Sequence, residues 1–199
     1  MVWCDVDDVI VDTSELMELT LRRMTGKAIP SETWPHHGFA EIYGFGSGEM
    51  EKLRGMWMED GLLERAPLRA GVSKALSAIE QAGCSIGLIT ARSWHPQGEA
   101  LTWAMAAKHG LPVSEVVVLS YEECKAQRLA AMGVRVDGFV DDTHRHVRAC
   151  LSKGWRACLM SQPWNHGHDD LPRVSGLADF AAMFQAPAKP GANARKAAP

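Results

Sequence analysis

From Pro67 onward the chain alternates short apolar runs with amphipathic stretches, and a glycine closes nearly every one of the latter. Val72, Ala75, Leu76 and Ile79 fall on one face of a helix over 71–82, ended by Gly83. Further helices are predicted over 97–109, 122–132 and 144–152, closed by Gly110, Gly133 and Gly154. Between them Cys84–Ile89, Val116–Leu119, Gly138–Val140 and Arg156–Met160 read as buried strands, and Met1–Cys4 as a first strand at the N-terminus. Residues 179–184 suit a short last helix. A chain that repeats strand and helix in this way builds a parallel sheet covered on both faces, an α/β, Rossmann-like three-layer core. Ligands of such sheets bind beyond the carboxyl ends of the strands.

Residues 13–66 follow a different pattern. Thr13 or Ser14 offers an N-cap for a helix over 15–25, and the stretch then carries Pro30, Pro35, five glycines between Gly38 and Gly55, and the aromatics Trp34, Phe39, Tyr43, Phe45 and Trp57. It reads as a small, mostly helical cap inserted after the first strand, so that the core comprises 1–12 and 67–184. The tail 185–199, rich in Ala, Pro, Lys and Gly, is expected to be disordered.

Composition narrows the function. With 46% hydrophobic and 23% charged residues in 199, the chain can bury one core without staples. The tail holds Lys189, Arg195 and Lys196 and no acid, so residues 1–184 carry 18 basic and 24 acidic side chains, a net of −6. Such a body is a poor partner for nucleic acid, whose non-specific binding depends on basic side chains. Five cysteines with no CxxC pair suit free thiols in a reducing compartment. No run is apolar enough for a membrane span, and Asp5 follows the N-terminus too closely for a signal peptide. A cytosolic protein is expected; a homodimer is left open.

The strand ends hold a coherent set. Asp5, Asp7 and Asp8 follow the first strand, Thr90 the second, and Asp141 and Asp142 the fourth; Lys125 lies beyond the third. Acids gathered at one sheet edge repel one another unless a cation lies among them, and oxygen-only ligands suit magnesium. Side chains two apart in an extended segment point the same way, so Asp5 and Asp7 can flank one phosphorus, one as nucleophile and one as proton donor. Asp8 and Asp12 read as turn and cap residues. Acids that merely cap turns are the plainer account of the set, but Thr90 and Lys125 would then have to coincide with them.

Asp5-x-Asp7-x-Val, Thr90, Lys125 and Asp141-Asp142 resemble, in order and placement, the four motifs of the haloacid dehalogenase superfamily of phosphatases. Within it the chain looks most like the 5′(3′)-deoxyribonucleotidases, through Gln162-Pro163-Trp164-Asn165-His166 and through Pro172-Arg173-Val174 with Phe180. The resemblance implies Asp5 as nucleophile and Asp7 as general acid/base. It implies Mg²⁺ held by an Asp5 oxygen, the Asp7 backbone carbonyl and a carboxylate of the Asp141/Asp142 pair. Thr90 would donate to a phosphate oxygen, beside Ala91 and Arg92, and Lys125 would offset charge on the phosphoenzyme. Glu122 and Glu123, next to Lys125, suit the first turn of a helix.

The implied activity is hydrolysis of a nucleoside 5′-monophosphate, a deoxyribonucleotide by the family likeness, with a sugar phosphate or another small phosphoester as the alternative. Phe39, Tyr43, Phe45 and Trp57 are candidates to stack a base, or else form the cap's own core. His36 and His37 could reach substrate. His166-Gly167-His168-Asp169-Asp170 is a weak metal signal, and His144 and His146, two apart on one helix, read as surface residues. A receiver-like domain fits poorly, since no Asp follows Val116–Leu119, and a non-catalytic binding protein leaves the full acid–Thr–Lys set without a use.

Overall fold

The computed structural model describes residues 1–27, 29–30, 33–34 and 38–185. Six strands, β1 (Val2–Cys4), β2 (Ile86–Thr90), β3 (Val113–Val118), β4 (Gly138–Asp141), β5 (Ala157–Met160) and β6 (Arg173–Val174), form one sheet in the order β3-β2-β1-β4-β5-β6. Every pairing is parallel. The expected α/β, Rossmann-like three-layer sheet is therefore present.

Strand alternation feeds two layers of core. Val2, Cys4, Ile86, Leu88, Val140, Cys158 and Met160 pack beneath α5 (Val72–Gln81), α6 (Gly98–Lys108) and α9 (Leu177–Ala182). Trp3, Ile89, Phe139, Ala157 and Leu159 point the other way, under α7 (Lys125–Ala131) and α8 (His144–Ser152). Successive side chains of a strand face opposite sides, so both faces of a covered parallel sheet must be apolar. The helix-closing glycines behave as expected: Gly83, Gly110, Gly133 and Gly154 all have positive φ, between +59° and +84°.

Boundaries moved where local chemistry outweighed the apolar pattern. The third strand begins at Val113, right after Pro112, rather than at Val116. The helix expected from Glu122 starts at Lys125, because Glu123 folds back to accept the Ser120 N–H at 2.8 Å and holds residues 121–123 in a turn. Glu122 and Glu123 are thus not a helix's first turn. β6 was not anticipated; two residues are too few to show a period. The first helix, α1 (Ser14–Thr25), is capped neither by Thr13 nor by Ser14. Asp8, in the left-handed region at φ +58°, accepts both of their backbone N–H groups at 3.1 Å through Oδ1. Acceptors at a helix N-terminus satisfy amides that have no partner within the helix.

Within 13–66, α1 is followed by α2 (Phe39–Tyr43), α3 (Ser47–Glu59) and α4 (Leu62–Arg65). Their apolar side chains form a cluster of their own around Leu21, Trp34, Phe39, Leu53 and Trp57, which also takes in Trp164 and Trp94 from the sheet side. Arg23 of α1 grips Asp60, at the end of α3, with two hydrogen bonds of 2.8 and 2.7 Å. The tail beyond 185, and His36 and His37, lie outside the described residues. No described helix is long and apolar enough to cross a membrane.

Gly87 pairs with Trp3 across β1 and β2, and a Cβ there would stand 2.5 Å from the indole. Trp3 is fully buried and has nowhere to turn. Gly87→Ala is expected to cost about 1–3 kcal/mol, read as a lower denaturant midpoint at unchanged slope.

Candidate active site

Each strand end delivers one part of the site. Asp5 continues β1, its N–H donating to the Val140 carbonyl at 2.9 Å, which pins it beside β4. Asp141 is the last residue of β4, and its Oδ1 accepts the Thr143 N–H at 2.8 Å. Lys125 opens α7, and its Nζ bridges Asp5 Oδ1 at 2.7 Å and Asp141 Oδ2 at 2.8 Å. All three side chains are buried. Asp142, next to Asp141, accepts the Trp164 indole N–H at 2.9 Å, while the Asn165 amide donates to the Asp142 carbonyl. The loop 162–165 is itself tied down, through Gln162 Nε2 to the Asp8 carbonyl.

Asp7 is held differently. The Arg92 guanidinium grips its carboxylate from two nitrogens, at 2.9 and 2.8 Å, and the Thr90 hydroxyl donates to it at 3.2 Å. Arg92 is completely buried and also donates to the Thr102 hydroxyl at 3.1 Å. Thr90 and Arg92, expected at the phosphate, are thus turned onto Asp7 in this structure, and neither lines the adjoining cavity. A bidentate arginine–carboxylate pair is among the strongest positioning contacts available.

Burial and charge set the protonation. Burial pushes the Asp5 carboxyl up to about 7, with Lys125 pulling it down and Asp141 and Asp7 pushing it further up. Burial also raises Asp142 well above the carboxylate range, with Asp5, Asp141 and Asp8 adding to the rise. For Asp7 burial raises and Arg92 lowers; the arginine wins, and its carboxyl lies below the usual value. Lys125 is held charged by Asp141 and Asp5 against the opposing effect of burial.

Asp5, Asp7, Asp141 and Asp142 meet only Lys125 and Arg92 as cations here, and the raised Asp5 and Asp142 carboxyls mark the deficit of positive charge. Buried charge without a partner is costly. Oxygens of Asp5, Asp141 and Asp142 lie within 4.8 Å of one another. A hard divalent cation bound by oxygen fits both the charge deficit and the donor set, and magnesium is such an ion.

A cavity of about 330 Å³ opens above these groups. Asp5, Asp7, Ala91, Lys125 and Asp142 form its floor, and Met17, Phe39, Met50 and Trp57 from 13–66 form its roof. Of the four candidate aromatics, Phe39 and Trp57 therefore line the cavity and also pack in the roof's apolar cluster. Tyr43 and Phe45 stack on each other, with centroids 5.4 Å apart, away from the lining. All four belong to or pack against the roof's apolar cluster, and only Phe39 and Trp57 also face the cavity.

Arg54, Trp94, Arg145 and His146 are among the lining side chains that the sequence reading did not place at the site. His146, expected at the surface, is buried at 5% exposure, and burial lowers its imidazole to about 4. Two residues apart places it off the face of His144, but that inner side is the cavity wall. His144 stacks instead on His168, at 3.8 Å between centroids. Asp5, Asp141 and Asp142 are the one cluster among the described residues with metal-ligand spacing, so 166–170 do not form a second.

No family model matches the sequence, and no curated protein matches it. Solved structures do. A haloacid dehalogenase-like hydrolase from Streptococcus pneumoniae superposes with TM-score 0.63 at 12% identity, covering 92% of this chain and 97% of that one. A predicted phosphoglycolate phosphatase from Haemophilus somnus gives 0.61 at 16%, over 93% and 97%. A hydrolase of the same superfamily from Geobacter sulfurreducens gives 0.59 at 15%, over 92% and 97%. Likeness in shape at so low an identity establishes architecture, and the chain has the fold of the haloacid dehalogenase-like hydrolases.

Proposed function

We propose that the protein is a magnesium-dependent phosphomonoesterase acting on nucleoside 5′-monophosphates, with deoxyribonucleotides suggested by its motifs. The observation that carries the reading is the buried Asp5–Lys125–Asp141 bridge facing Asp7 on the floor of a roofed cavity. Magnesium, held by carboxylates of Asp5, Asp141 or Asp142, would supply positive charge against the oxygens of the transferred phosphoryl group. An Asp5 oxygen attacks phosphorus, the ester P–O bond breaks, and the leaving alkoxide takes a proton from Asp7. Water then attacks phosphorus, Asp7 accepts its proton, and the Asp5 carboxylate and inorganic phosphate are released. Arg92 keeps Asp7 ionised, the form required for the second half. A phosphate dianion arriving beside Asp7 favours protonation, the form required for the first. Lys125 balances the charge on Asp5 before attack.

The nucleotide substrate rests on the roof. Phe39 and Trp57 present aromatic surface above the acids, and stacking a base on such a ring is worth roughly 1–3 kcal/mol. A second reading, a sugar phosphate or another small phosphoester, is favoured by the superposition on a protein described as a phosphoglycolate phosphatase. A substrate panel separates the two. Nucleoside monophosphates are expected to exceed sugar phosphates in kcat/KM by about tenfold or more, as stacking of this size allows. Activity is expected to vanish in chelator and to return with magnesium. Sugar phosphates outrunning every nucleotide would overturn the nucleotide reading, and full activity in chelator would overturn the metal.

A further inference from the structure

Arg54 stands on the wrong face of its helix. Met50, Arg54 and Trp57 are spaced i, i+4 and i+7 along α3, so they share the stripe that faces the cavity, and all three line it. The same helix turns Glu49, Glu51, Lys52 and Glu59 to solvent, where charge costs little. Arg54 is half-buried and lines the cavity together with Met50 and Trp57, yet among the described residues it has no hydrogen bond, no ion pair and no ring beneath it. The other arginines of the site and its frame are engaged: Arg92 with Asp7, Arg23 with Asp60, and Arg145 with Tyr121. A guanidinium kept against an apolar wall without a partner has lost hydration that nothing in the chain returns.

Its position says what would return it. The acids and Lys125 occupy the floor, where a phosphoryl group must lie to meet Asp5. Arg54 occupies the roof, so it addresses the far end of whatever the phosphoryl group is attached to. Its five N–H donors form a rigid planar fork with no acceptor among them, and the matching partner is a pair of acceptor atoms in one plane. We infer that Arg54 is a specificity-determining residue, which accepts substrates whose leaving group carries two coplanar acceptors at its far end. This rests on the phosphatase reading and sharpens it. Two sources share that chemistry: the O6/N7 edge of a guanine base, which arginine grips bidentately, and a carboxylate. Adenine offers N7 beside an N6 donor, and its amino group would oppose the fork.

The experiment measures kcat/KM on two matched pairs. One pair is dGMP against dAMP; the other is 2-phosphoglycolate against ethyl phosphate, which lacks the carboxylate. The wild-type protein is expected to prefer the first member of at least one pair by about tenfold or more, the scale of a bidentate arginine contact. The guanine pair is the one expected, given Phe39 and Trp57 beside Arg54. Arg54→Met, whose side chain matches neighbouring Met50, is expected to bring that ratio to within about twofold of unity, chiefly by raising KM for the favoured member. Arg54→Lys keeps the charge but not the fork, and is expected to restore little of the ratio. A response on the carboxylate pair alone supports the same residue role with the other source. Ratios near unity in wild type, or ratios that survive Arg54→Met or Arg54→Lys, overturn the inference while leaving hydrolysis in place. Absence of hydrolysis of all four compounds overturns the phosphatase reading and this inference with it.

Discussion

Asp5→Asn is expected to reduce hydrolysis of any phosphomonoester by roughly 10⁴-fold or more, the scale of losing a nucleophile, without loss of fold. An amide oxygen is too weak a nucleophile to form the acyl phosphate, so the two-step route closes at its first step. The structural side of the expectation follows from burial. Asp5 sits at 6% exposure with its carboxyl raised to about 7, so its charge is carried against desolvation. Asparagine has the same shape and no charge, and Lys125 retains Asp141 at 2.8 Å. In chelator at pH 8, thermal stability should therefore hold or rise. Asp7→Asn makes the useful contrast, since losing a general acid/base typically costs about 10²–10⁴ and also strips Arg92 of its ion-pair partner. Turnover by Asp5→Asn within tenfold of wild type, at unchanged circular dichroism, would remove Asp5 as nucleophile.

The floor of the site was legible in the sequence because it is a matter of chain order. Strand ends of a parallel sheet converge, so Asp5, Asp7 and the Asp141/Asp142 pair could be placed together from strand order, and Lys125 from its place opening the helix after the third strand. What the polar groups do with one another was not legible. Thr90 and Arg92 lie at the expected strand end, but their partner is Asp7, because a fully buried guanidinium takes the nearest carboxylate. Asp142 is oriented by Trp164, twenty-two residues later, a contact that only the path of the loop after β5 creates. The roof was the least legible part. α2 and α4 have 5 and 4 residues, too short for a helical period to register, and Arg54 sits in an apolar stripe where one charge looks like noise. His146 shows the same limit from the other side: residue spacing gives a helix face, but whether that face meets water or a cavity wall depends on tertiary packing.

Lys125→Met is expected to damage both stability and activity, and the two can be told apart by pH. Lys125, at 3% exposure, is the cation that lies between Asp5 and Asp141. Methionine fills the space of its stem and leaves the carboxylates facing one another. Removing one partner of a buried ion pair costs about 3–5 kcal/mol. The pH dependence has a definite sign. A carboxyl raised by folding binds its proton more tightly in the folded chain than in the unfolded one. Stability in chelator then falls as pH climbs from the ordinary carboxylate value toward the raised one. For wild type that window runs from 3.8 to about 7 at Asp5, with raised Asp142 acting in the same direction. Lys125 is what pulls Asp5 down, so in the variant the fall continues to higher pH. The melting temperatures of the two proteins should lie closer at pH 5 than at pH 8. Magnesium should recover more in the variant than in wild type, because a ligand that binds only the folded state stabilises in proportion to its affinity and the variant's cluster is more negative by one charge. Catalysis should still fall by about 10²–10³, the usual cost of one preorganised electrostatic contact, since the ammonium that meets Asp5 at 2.7 Å is gone. An equal loss of stability at both pH values would make Lys125 a packing residue, and undiminished turnover in magnesium would remove it from the chemistry.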